Sequence, residues 1–153
     1  MRKIIAAALA LVMVLSLAAC GGSAEAEVET EHVSGDLAVA DLPKGWSLVS
    51  GTEMNGASGA DFICHSENYQ LGDAYLQVTR DDRDVGSIEE VLASETTFGK
   101  YYGGAELQNG TWYISENAAA CTIDGYTMLV RGYACDFESG EVRNILGSLG
   151  WAQ

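Results

Sequence analysis

The sequence predicts an α+β domain: a mostly antiparallel sheet with two helices, at about 88–98 and 141–149, behind an apolar leader and a disordered acidic tether. Three observations predict it. Eighteen glycines and a single proline, Pro43, punctuate the chain, which suits short strands and tight turns better than a helix bundle. Asn109-Gly110 and Asp124-Gly125 are hairpin signals of the strongest two-residue kind. Two stretches in the second half carry apolar residues at helical spacing. At 153 residues, 48% of them hydrophobic, the chain has room and material for one core, not two.

The leader comes first. Arg2 and Lys3 precede an almost unbroken run of Ile, Ala, Leu, Val and Met from Ile4 to Ala19, with Ser16 its one polar member. The run is shorter than the roughly 20 residues a relaxed helix needs to cross a bilayer. A charged start, a short apolar stretch and a small-residue exit describe a secretory leader over residues 1–19. The exit, Leu17-Ala18-Ala19-Cys20-Gly21, resembles the lipobox of bacterial lipoproteins. That resemblance implies cleavage between Ala19 and Cys20 and a thioether-linked diacylglyceryl group on Cys20, often with acylation of the new amino terminus. Two acyl chains, at about 0.8 kcal/mol per buried methylene, anchor a protein stably without a spanning helix. The lipid partner is then the membrane itself, on its extracytoplasmic face.

Residues 20–41 read as the lipidated cysteine and a flexible tether. Gly21-Gly22-Ser23 opens it, and Glu25, Glu27, Glu29 and Glu31 alternate through it. Few large apolar residues are present to offset ordering entropy, and the glutamates repel one another. His32 falls here as a solvated residue. Beyond Ala19 the chain holds six basic residues against all 22 acidic ones. Such a surface repels phosphate backbones, which excludes nucleic acid as a partner.

The folded domain is expected over 42–153. Pro43 and Gly45 punctuate its start, and a strand begins at Trp46–Val49. Phe62–Ser66 and Ala74–Thr79 are further strands, with Asn68–Gly72 as the turn between them; Ala74, Leu76 and Val78 alternate with Tyr75, Gln77 and Thr79. Ser87-Ile88-Glu89-Glu90 fits a capping box with Ser87 as N-cap, and Ile88, Val91, Leu92 and Phe98 share a face up to a stop at Gly99. A meander follows, with strands near Ala105–Gln108, Thr111–Ser115, Ala118–Ile123 and Tyr126–Asp136. Val142, Ile145, Leu146 and Leu149 then mark the closing helix.

This order resembles the PsbP-like α/β/α sandwich. The residues that carry the likeness are Leu42-Pro43-Lys44-Gly45-Trp46, the middle helix, and Ile145-Leu146-Gly147-Ser148-Leu149-Gly150-Trp151. The resemblance implies the fold and a non-catalytic, accessory role, and it transfers no site residue.

The Asp124-Gly125 hairpin fixes a register. Ile123 should face Tyr126 and Cys121 should face Met128. Ala119, Cys121, Ile123, Met128, Val130, Gly132 and Ala134 then form an apolar face that packs under a helix. Ala118, Ala120, Thr122, Leu129, Arg131, Tyr133 and Cys135 form a mixed face, either a groove or the floor beneath the second helix, the latter favoured. Cys135 lies roughly 23 Å from Cys121 at about 3.3 Å per residue and on the other face. A Cys121–Cys135 disulfide is therefore not expected. Any bridge uses Cys64, and the first expectation is three unbridged, buried thiols.

No catalytic residues, cofactor or metal ligands stand out. Cys64 and His65 are strand neighbours and point to opposite faces. Asp81, Asp82 and Asp84 fail the calcium-loop template, since a count from Asp82 puts Gly86 at position 5 and Ala93 at position 12. They read as a solvated acidic turn. No string has zinc-ligand spacing. The expected function is a membrane-anchored, extracytoplasmic, non-enzymatic module of the cell envelope that binds a protein, peptide or small molecule. The alternative is a small thiol-redox protein or hydrolase using Cys64, Cys121 or Cys135; a solute-binding protein is third, for want of a second lobe.

Overall fold

The computed structural model describes residues 28–153 apart from 56–62 and Glu95, and the backbone alone of 50–55 and 63–66. The chain runs β1 (Thr30–Ser34), β2 (Ala38–Pro43), β3 (Ser47–Asn55), β4 (Ile63–Leu71), β5 (Ala74–Asp81), α1 (Val85–Ala93), β6 (Tyr101–Leu107), β7 (Gly110–Ser115), β8 (Ala118–Ile123), β9 (Tyr126–Tyr133), α2 (Gly140–Ser148) and β10 (Gly150–Trp151). Among the described residues no helix is long and apolar enough to cross a membrane. The α+β class with a mostly antiparallel sheet and two helices holds.

Seven strands form one sheet in the order β3-β4-β5-β9-β8-β7-β6, and β1-β2-β10 form a second, smaller one. Every pair is antiparallel. The large sheet is two meanders whose last strands, β5 and β9, meet at the centre. To start the second meander the chain must travel from β5 to the far edge at β6. α1 makes that crossing and packs over β8, β7 and β6.

The inner face of the large sheet is closed by β2 and α2. Leu76, Val78, Trp112, Ile114, Ala119, Cys121, Met128 and Val130 meet Ala38, Ala40 and Leu42 from β2 and Val142, Ile145, Leu146 and Leu149 from α2. On the outer face α1 places Ile88 and Leu92 over Ala118, Ala120 and Leu129. The apolar sheet face thus takes the C-terminal helix. The mixed face lies beneath the middle helix, not beneath the second as expected, because the crossing from β5 runs on that side.

The fold starts earlier than the composition suggests. Within the expected tether over 20–41, Thr30–Ser34 and the start of Ala38–Pro43 are strand: β1 pairs with β2 from Thr30↔Pro43 to Ser34↔Val39. Ala38, Ala40 and Leu42 alternate into the core at no more than 1% exposure. The buried Glu67 carboxylate accepts the backbone N–H groups of Leu37 and Ala38, at 2.8 Å each. Beside it the buried Tyr69 phenol donates to the Ala38 carbonyl at 3.2 Å. A Cβ on Gly35 would run into the Glu67 carboxylate. An acidic side chain distant in sequence orders what local composition leaves free. His32 accordingly sits on a strand, exposed, with Nδ1 2.7 Å from Asp41 Oδ1.

Other boundaries shift for local reasons. The N-cap of α1 is Asp84, not Ser87, because the Asp84 carboxylate accepts both the Ser87 N–H and the Ser87 hydroxyl at 2.9 Å. α1 ends before Ser94, whose hydroxyl and N–H both turn back to the Val91 carbonyl, so Phe98 lies past the helix while still packing on its cluster. Asn68 is strand rather than turn; β4 and β5 join at Leu71↔Ala74. The β6–β7 loop is Gln108-Asn109, one residue earlier than the Asn109-Gly110 motif suggests, since Leu107 pairs with Gly110. Asn109 is held elsewhere: its Nδ2 donates to the Leu146 and Leu149 carbonyls at 2.8 and 2.7 Å, and its Oδ1 accepts the Trp112 indole N–H at 2.8 Å. β9 stops at Tyr133, short of Asp136, because Ala134 takes a left-handed conformation (φ 53°). The buried Phe137 ring then folds back over Gly132, where a Cβ would collide with it.

A candidate binding face on the large sheet

α1 covers only the β6–β8 side of the outer face, because that is the route from β5 to the far edge. Among the described residues no element covers the outer face of β3, β4 and β5 or the adjoining part of β9.

Register assigns the residues that stand on it. Leu76 and Val78 point into the core, so Tyr75, Gln77, Thr79 and Asp81 point outward. One row reads Ser47, Gln70, Tyr75 and Tyr133 across β3, β4, β5 and β9; the next reads Val49, Asn68, Gln77 and Arg131. Tyr75 and Tyr133 stack with ring centroids 5.5 Å apart and planes 18° apart. Tyr133 is 59% exposed. The Arg131 guanidinium lies 5.8 Å from the centroid of the Phe98 ring at the rim of the α1 layer, and it has no ion pair among the described residues.

These two rows contain amides, phenols, a hydroxyl, Val49 and one guanidinium, and no carboxylate, in a chain of 22 acids and eight bases. The acid further down the face, Asp81, is already engaged. Arg83 donates to it through Nε and Nη2 at 2.9 and 2.8 Å. That hydrogen bond holds the Asp81 carboxyl below its ordinary value, and the Arg131 charge adds to the effect.

A groove lies on the opposite side of the molecule. It is an open groove of about 780 Å³ between β1, the exposed side of α2 and the β6–β7 loop, lined by Thr30, Asp41, Gln108, Glu141, Arg143 and Asn144, among others. Its acids and its arginine alternate, and it presents no aromatic ring.

The residues singled out in the sequence do not converge on one site. Ala19 and Cys20 lie outside the described residues. So do the side chains of Cys64 and His65, whose backbones pair with Met54 and Glu53. Cys121 is buried and Cys135 half-buried, and neither is bridged. Burial pushes the Cys121 thiol up to about 11 and raises that of Cys135 as well. Such thiols hold little thiolate at neutral pH, the form a nucleophile or redox centre needs. Cys135 is not on the mixed face: the turn at Ala134 brings it to the core side, where its Sγ donates to the Tyr75 and Tyr133 carbonyls at 3.3 Å. Asp81 and Asp84 serve as ion-pair partner and helix cap. Among the described residues no three His, Cys, Asp or Glu side chains gather to hold a metal.

The alternation of residues 126–135 puts Arg131 and Tyr133 on the mixed face. It does not pair them with Tyr75 and Gln77, because the β5–β9 contact spans 46 to 58 positions and leaves no local trace. The usable signal was the polar and aromatic half of β5, Tyr75-Gln77-Thr79, opposite an apolar half. No protein-family model, curated protein or solved structure matches the chain.

Proposed function

We propose that this chain is a lipid-anchored, extracytoplasmic, non-enzymatic binding module of the cell envelope. In this reading Cys20, acylated after cleavage behind Ala19, holds the domain at the membrane, and the open half of the large sheet takes the ligand. The anchor rests on the leader and on Leu17-Ala18-Ala19-Cys20. The binding role rests on one observation: a sheet half that no described element covers, bearing the Tyr75–Tyr133 stack and an arginine with no ion pair among the described residues. Tyrosine supplies broad contact area with a polar tip at little entropic cost. The PsbP-like resemblance points the same way, to accessory work. The thiol alternative draws no support from Cys121 or Cys135, both of which burial holds protonated.

Two measurements test the two halves. Mass spectrometry of the mature amino terminus should find a diacylglyceryl-modified Cys20, and an unmodified Cys20 or cleavage elsewhere would remove the anchor. A photo-crosslinking residue placed at position 133 of the full chain in intact cells should yield a discrete adduct, where the same residue at position 144 yields none. Equal labelling at both positions would remove the binding face.

A further inference from the structure

We infer that the open face recognises a glycan whose sugar rings carry a carboxylate, with the Arg131 guanidinium on the carboxylate and Tyr75, Tyr133, Gln77 and Gln70 against the rings and their hydroxyls. This rests on the reading of that face as a binding surface and names its ligand class.

Charge complementarity carries it first. A strongly acidic protein presents here two cross-strand rows without a carboxylate, and Asp81, the acid further down the face among the described residues, is paired with Arg83. Arg131 therefore offers a planar fork of donors suited to two carboxylate oxygens. A basic peptide would meet that charge with repulsion. A polyphosphate chain, charged on every unit, would be repelled by the rest of the acidic surface more strongly than a glycan charged on every second ring.

Shape and chemistry carry it further. A sheet face is broad and shallow, and three strand spacings from β3 to β9 make it about 14 Å across, room for about three pyranose rings laid in a row. Flat rings with apolar C–H faces and hydroxyl edges match tyrosine and amide side chains set in register. An extended peptide would use a free sheet edge for its main chain and pockets for its side chains. Here the free edge is at β3, while Tyr75, Gln77, Arg131 and Tyr133 stand on β5 and β9, two and three strands in from it, out of reach of a strand paired along that edge.

The test is calorimetric titration of the full chain in detergent micelles. The probes are a tetrasaccharide alternating N-acetylglucosamine and glucuronate, its methyl ester, and tetraglutamate. The acid form should bind saturably and weaken with added salt. The ester should bind about tenfold less well, the effect of losing one charge-assisted pair. Arg131→Ala and Tyr133→Ala should each weaken the acid form about tenfold or more, while Asn144→Ala, in the groove beside α2, should leave it unchanged. Both variants change exposed side chains, and circular dichroism melts verify their folding. Equal binding of acid and ester overturns the role given to Arg131. Absence of saccharide binding with Arg131-dependent binding of tetraglutamate overturns the glycan assignment and keeps the binding face. Saccharide binding indifferent to both Arg131→Ala and Tyr133→Ala, or no saturable binding of any probe, overturns the inference.

Discussion

The two faces of the seven-stranded sheet have been treated differently by the chain. Among the described residues the inner face is closed by β2 and α2, over side chains that include Leu76, Val78, Met128, Val130, Ala119 and Trp112. Its buried carboxylate, Glu67, is fully occupied in holding the β1–β2 turn. Among the described residues the outer face is closed only where α1 crosses, over Ala118, Ala120 and Leu129. Where the crossing does not pass, the same strands carry tyrosine, glutamine, asparagine and arginine. The difference teaches that topology sets the chemistry here: the route from β5 to β6 decides which half of a face is core and which half meets solvent. The open half is also where the described rows carry no carboxylate and one arginine, Arg131.

That contrast can be broken most directly by matched truncations on the two sides of β5 and β9. Leu76→Ala, on the closed side, should cost about 3–5 kcal/mol through lost burial and a cavity. Tyr133→Ala, on the open side, should stay within about 0.5 kcal/mol in urea unfolding. Similar losses for the two would mean the outer face is structural. Glu67→Ala comes next. It strips an acceptor from two backbone amides at the β1–β2 turn, and a loss of about 2–4 kcal/mol is expected, with faster hydrogen exchange at Leu37 and Ala38. Asn109→Ala should cost about 2–3 kcal/mol, since it leaves the end of α2 and the Trp112 indole without their partner; thermal melting reads it.

Two pH effects are smaller and opposite in sign. Cys121 on the inner face is held protonated by burial, with its folded value raised from 9.0 to about 11. Its contribution is therefore complete below about pH 9 and is lost as pH rises from there through about 11. Urea midpoints of the parent should fall faster over that range than those of Cys121→Ala. Asp81 on the outer face has a folded value lowered below 3.8 by its hydrogen bond from Arg83. Its contribution is present above about pH 4 and is lost as pH falls below it. For a half-exposed pair this is under about 1 kcal/mol, and Asp81→Asn should flatten that acid limb.

Local chemistry was legible in the sequence. Asp124 and Gly125 take φ of 49° and 81°, the two positive values a type I′ hairpin turn requires. From that turn the register of β8 and β9 follows as expected, with Ile123 opposite Tyr126 and Cys121 opposite Met128. The closing helix is found within one residue, because Val142, Ile145 and Leu146 are buried at helical spacing. What was not legible depends on distant partners. β2 is built around alanines, and its order comes from Glu67 some thirty positions away. The cap of α1 moved because Asp84 outcompeted Ser87. Cys135 changed face because Ala134 adopts a conformation that alanine rarely takes. The candidate face was half visible, as Arg131 and Tyr133, until β5 supplied Tyr75 and Gln77.

The most direct test of the central claim is co-sedimentation of the detergent-solubilised full chain with the insoluble glycan fraction of its own envelope, comparing the parent with the Arg131→Ala/Tyr133→Ala double variant. The expected result is retention of the parent and loss of the variant, whose melting temperature stays within about 2–4 °C. Equal retention of the two would contradict it, and would return the open half of the sheet to bare solvent.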